Sequence, residues 1–259
     1  VNSIDDGDIP SQDWQGRPIA AATCAGCEHA ALRQSGGCEP GRRCMHDVYA
    51  RRIDRFFRHH QALAGAQLAH PYFEVRAIAA RYADVFQLPP LRNDPDETVR
   101  LQVALRLPQR LLSTMRNDPH REVRIRVAHR IAAAELPAML ADPDYQVRTL
   151  VAQRLPEALL PLLMADADLQ VRLTVARRVP MPALWRLVQD PAPEVRRVAA
   201  ERVPVPLLGA LADDPDWTVR WEVAGRAVGA VLQRLQHDPE PDVRQRATSP
   251  REIQEPAHG

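Results

Sequence analysis

The chain has 259 residues, 45% of them hydrophobic, with 34 basic and 33 acidic side chains and a formal charge of +1. That length supports a sizeable core, and the charge balance excludes a global pull toward nucleic acid, membranes or acidic partners. Every Lys/Arg position is arginine, a bias that GC-rich codon usage explains as readily as a need for planar, bidentate donors.

Residues 1–20 begin with the acidic, polar run Val1–Asp8 and are expected to form a flexible N-terminus without a signal-peptide pattern. No run of about 18 apolar residues is present, so a cytoplasmic protein without membrane contact is expected. Disulfides are disfavoured in that compartment.

Residues 21–69 hold the cysteine segment and a helical connector. All four cysteines, Cys24, Cys27, Cys38 and Cys44, fall here, spaced C-x2-C-x10-C-x5-C. Four thiolates so close together point to a metal site. A C-x2-C pair grips one centre from a tight turn, and Gly26 is expected to ease the bend. Gly36, Gly37, Pro40 and Gly41 mark a loop. Tetrahedral zinc and a [4Fe–4S] cluster both suit the donor set, and spacing alone leaves them equally open. Arg42 and Arg43 stand where they would offset the negative charge. His29 and His46 read as surface histidines, since four cysteines complete a ligand set. Residues 45–69 read as a helical connector in which Phe56 and Phe57 seal the cluster against the first repeat. A second metal site from Asp54, His59 and His60 is not expected.

Residues 70–246 form a repeat. Val-Arg recurs at Val75, Val99, Val123, Val147, Val171, Val195, Val219 and Val243, always 24 residues apart. Five residues before each Val stands His70 or an aspartate: Asp94, Asp118, Asp142, Asp166, Asp190, Asp214, Asp238. Proline follows in every copy but one, where Ala167 replaces it. Asp-Pro predicts a helix start, with the carboxylate as cap and proline in the first turn. In Asp94-Pro95-Asp96-Glu97 the glutamate would complete a capping box. Apolar residues at four and eight positions past the Val, and proline at the ninth in four copies, predict a helix of about 12 residues. An alanine five positions past the Val, as at Ala104 and Ala128, predicts close backbone approach. Apolar pairs three apart, from Leu88/Leu91 to Leu232/Leu235, predict a short 3₁₀-helix or a single α-turn in each linker. Such units cannot bury their apolar faces alone, so stacking into a solenoid is expected. Residues 247–259 lose the pattern and are expected to be a frayed C-terminus.

Arginine also recurs one and seven positions past the Val, as at Arg100 and Arg106. These rows are expected to bond the aspartates and loop carbonyls of neighbouring repeats. The alternative is a phosphate-binding stripe for nucleic acid, with zinc or an iron–sulfur site as a structural element.

The unit Asp118-Pro119…Val123-Arg124…Val127-Ala128…Arg130, together with the four-cysteine segment, resembles the leucine-rich repeat variant family that carries an N-terminal iron–sulfur segment. The resemblance covers about residues 24–246. It implies an all-α, right-handed superhelical solenoid of eight 24-residue repeats alternating α- and 3₁₀-helices, behind a small metal-cluster segment. It also implies a [4Fe–4S] cluster on Cys24, Cys27, Cys38 and Cys44, with zinc the alternative. The expected function is a protein-interaction scaffold with a redox or structural cluster and an unidentified protein partner. No nucleophile–base pair, phosphate loop or paired carboxylates stand outside the repeat pattern, so no enzymatic activity is expected.

Overall fold

The computed structural model describes residues 9–249. The expectations for Val1–Asp8 and for residues 250–259 fall outside the described residues. The chain divides into two compact units, Val1–Ala132 and Ala133–Gly259. Among the described residues there are helices and three isolated bridges but no strand.

In the first unit, α-helices Phe73–Tyr82, Glu97–Arg106 and Arg121–Arg130 begin 24 residues apart, and each packs on the next. Val75, Val99 and Val123 have no solvent exposure, a burial that stabilises by about 1.5–3 kcal/mol per side chain. The linkers carry short helical turns, among them the 3₁₀-helix Pro89–Asn93 and the α-turn Gln109–Leu112 running into 3₁₀ Ser113–Met115.

The connector is itself a repeat. Helix Ala50–His59 packs on Phe73–Tyr82 and leads into the 3₁₀-helix Gln61–Gln67. Both fall within a residue of positions one period upstream of their counterparts. The Val-Arg signature is missing here because Arg51 occupies the valine position, while Arg52 keeps the arginine.

The second unit repeats the plan. Helices Tyr145–Arg154, Leu169–Ala176, Pro193–Arg202, Trp217–Arg226 and Pro241–Thr248 pack in sequence. They alternate with 3₁₀-helices Glu157–Leu163, Ala183–Gln189 and Val205–Leu211, and with the α-helix Gly229–Leu235. Ala247 and Thr248, assigned from sequence to the frayed end, belong to the last helix.

The repeat helices are ten residues long in most copies and eight at Leu169–Ala176 and Pro241–Thr248, not twelve, because the Asp of Asp-Pro is not their cap. The cap sits two residues later: Asp96, Asp144, Asp168 and Asp216 each accept a backbone N–H from the first turn. The capping box expected of Asp94 and Glu97 is therefore not formed. Asp94 instead accepts the N–H of Asp96 at 3.0 Å, closing an Asx turn, and takes both forks of Arg76 at 2.8 Å. The same guanidinium donates to the carbonyls of His70 and Pro71. Arg100 with Asp118 repeats this joint, as do Arg148 with Asp166, Arg172 with Asp190, Arg196 with Asp214 and Arg220 with Asp238.

The other arginine row bonds backwards. Arg106 donates to the carbonyls of Ala80 and Ala83, Arg130 to those of Ala104 and Leu107, and Arg202 to those of Ala176 and Val179. The recurrent alanine is fully buried at each of these joints. It brings its carbonyl within reach of the next repeat's guanidinium.

Candidate metal centre

The cysteine segment is built from two five-residue helices, Ala21–Ala25 and Ala30–Gln34, and the loops that follow them. Cys24 lies on the first helix and Cys27 one turn beyond. Gly26 keeps a negative φ of −94° and its missing Cβ would meet nothing, so the bend does not depend on it. Gly36 and Gly41 do matter: φ of +75° and +76° turns the chain so that Cys38 and Cys44 face back toward the first pair.

Residues 9–20, expected to be flexible, are fastened to this segment. Arg52 donates to the carbonyls of Ile9 and Pro10 and to Asp47 at 3.1 Å. Asp47 also accepts from the Ser11 hydroxyl and the Tyr49 N–H. Both members of this ion pair are fully buried. Trp14 stacks on Tyr72 of the first repeat at 6.2 Å. Arg52 is committed to this lock, and His70, in the place of an aspartate, accepts the Tyr72 N–H through Nδ1.

Cys24, Cys27, Cys38 and Cys44 all line one cavity of about 350 Å³. None is in a disulfide; three are buried and Cys27 is half-buried. The His29 N–H donates to Cys27 Sγ at 3.4 Å, while burial pushes that thiol up. A hydrogen bond joins Cys38 and Cys44; with burial it keeps the proton on Cys44, and it draws Cys38 down. Crowded, partly buried thiols of this kind are suited to metal binding coupled to proton release. The arginines on the cavity wall are Arg17 and Arg33. Arg42 and Arg43, expected to offset the charge, bond Glu39 and the Gly36 carbonyl instead.

His29 is not a surface residue. Its ring packs on Phe56 at 5.2 Å, Nε2 contacts Met45 Sδ at 3.0 Å, and burial lowers its basicity. It lines the cavity with Glu28 and His46. Phe56 and Phe57 are fully buried beneath, as the seal predicted from sequence requires. Asp54, His59 and His60 are not brought together. Asp54 pairs with Arg58 and Arg81, His59 bonds the Arg55 carbonyl, and His60 bonds the Gly37 carbonyl.

Residues 11–66 match the family described as the LRV protein FeS4 cluster. A solved structure described as a leucine-rich repeat variant with a novel repetitive protein structural motif is 45% identical, with a TM-score of 0.83, over 89% of this chain and 98% of its own. The chain belongs to the leucine-rich repeat variant family. Its N-terminal segment is an iron–sulfur domain, and its all-α fold is that family's repeat solenoid. A second relative, the uncharacterized 27.7 kDa protein in the nifB 3′ region of Rhodobacter capsulatus, is 48% identical over 96 residues. That match spans 37% of this chain and 38% of the relative. Among the described residues no helix is long and apolar enough to cross a membrane.

Proposed function

We propose that Cys24, Cys27, Cys38 and Cys44 hold a [4Fe–4S] cluster that fastens the N-terminal cap onto a non-enzymatic protein-interaction scaffold. The observation that carries the cluster type is that the four thiols line one cavity while, among the described residues, no three of them lie within 4.8 Å of one another. A tetrahedral zinc ion with bonds of about 2.3 Å draws its sulfurs to within about 4 Å of one another. Among the described residues, the trio of donors within 4.8 Å of one another is Glu28, His29 and His46, not a set of cysteines. The cluster would bind the crowded thiols as thiolates, releasing their protons, and fix the two short helices. Half-buried Cys27 leaves one side of it open to oxidants or an electron carrier.

The scaffold reading draws on the second unit. There the first helical position of successive repeats holds Tyr145, Leu169, Pro193 and Trp217, an apolar column that remains solvent-accessible. A protein surface with matching apolar side chains is the partner this column suits. The nucleic-acid alternative needs free guanidinium groups, and most arginines of both rows are spent on rungs between repeats.

The test is anaerobic purification with iron, sulfide and zinc analysis. About four irons and four sulfides per chain, falling to none in Cys27→Ser, are expected. A colourless chain with one zinc would overturn the assignment.

A further inference from the structure

We propose that Glu28, His29 and His46 form a second metal site, for a single divalent transition-metal ion, in the wall of the cysteine-lined cavity. Glu28 Oε1 lies 3.6 Å from His29 Nε2 and 3.9 Å from His46 Nε2, and the three donor atoms all fall within 4.8 Å of one another. An ion bonded at 2.0–2.2 Å in tetrahedral geometry sets its donors about 3.4 Å apart. Closing the site therefore takes small side-chain movements, and the residues that must move are free to do so. The Glu28 and His46 side chains are 58% and 38% exposed, whereas His29 is 11% exposed. The Phe56 ring holds His29 in place, and its Nε2 would exchange the Met45 Sδ contact for the ion. One ligand is fixed and two adapt.

Two imidazoles and one carboxylate select borderline ions such as zinc or iron(II) over calcium or magnesium. The position adds a reason for a cation. Four thiolates around any centre leave net negative charge, and the arginines on the cavity wall offset only part of it. Arg17 pairs with Asp13, and Arg33 donates to the Ala21 carbonyl. The site uses no cysteine, so it does not depend on which cluster the thiols hold.

The test is equilibrium dialysis of the iron-loaded full chain against zinc, with zinc, iron and sulfide measured together. One zinc per chain is expected, with iron and sulfide unchanged. Glu28→Gln and His46→Gln, both at exposed positions, should each weaken zinc binding by at least about tenfold, the lower end of what loss of even an outer partner costs a metal site. Failure to retain zinc, equal retention by both variants, or uptake of zinc at the expense of iron would each overturn the site. A chain that binds zinc in this Glu28-dependent way but carries no iron would uphold it while sinking the cluster assignment.

Discussion

In the repeats, order is distributed. Within each unit, linkers are held from one side by an arginine clamping the next aspartate, as Arg100 clamps Asp118, and from the other by an arginine reaching back to the preceding helix, as Arg106 does. No single rung carries the structure, because the bonds recur every 24 residues. The cysteine segment concentrates its order at one place. Its two helices have five residues each and no N-cap side-chain bond, far below the roughly 12–15 residues at which a helix approaches stability alone. Its fastenings are the Ser11–Asp47–Arg52 lock at one edge and the thiol-lined cavity at its centre. Periodic hydrogen bonding suits a chain that can repeat one solution, whereas irregular backbone needs a covalent or metal hub.

Removing that hub is the sharpest way to break the contrast. Chelation of iron, or Cys44→Ser, is expected to expose the backbone of residues 21–49 while sparing the repeats. In such a segment binding energy is folding energy, so the loss should exceed that of any single rung. Amide exchange reads it directly. Protection across 21–49 should drop by orders of magnitude, with helix Pro193–Arg202 unchanged. Equal protection with and without iron would mean that the Asp47–Arg52 lock suffices.

Cutting one rung comes next. In Asp214→Ala, Arg196 loses both forks of a pair at 2.7 and 2.9 Å, and the Asp216 N–H loses its acceptor. Both side chains are largely buried. Removing one partner from such a pair costs about 3 kcal/mol, measurable by urea denaturation. A loss under about 1 kcal/mol would place the rung among surface ion pairs.

The same contrast decides what was legible in the sequence. The repeat could be read because each structural demand is stated six to eight times. A buried valine, a close-packed alanine and two arginines show as columns within one chain. What the columns could not reveal was direction. Asp-Pro has the residue types of a cap, yet the aspartate serves the preceding repeat's arginine, a contact 18 positions away in sequence. The connector was missed as a repeat because Arg51 removes the Val-Arg signature, although Arg52 stands one period before Arg76. In the cysteine segment the four thiols were plain from composition. Their neighbours were not, because loop geometry decides which arginines reach the cavity. Nothing in the spacing distinguishes Arg17 and Arg33 from Arg42 and Arg43.

The smallest predicted effect is also the closest test of how the two aspartates of one linker divide their work. Asp216 caps helix Trp217–Arg226, accepting the Thr218 N–H at 2.8 Å, and among the described residues no arginine of a neighbouring repeat forms an ion pair with its carboxylate. Asp216→Ala should therefore cost about 1 kcal/mol, the usual value of an N-cap, and asparagine should restore most of it because its side-chain oxygen still accepts. Asparagine at position 214 should not rescue Asp214→Ala as well, since it brings no charge and only one acceptor oxygen to a two-pronged guanidinium. If the order were reversed, with position 216 the costlier and asparagine tolerated at 214, the aspartate of Asp-Pro would be the cap after all. The joint between repeats would then rest on apolar packing alone.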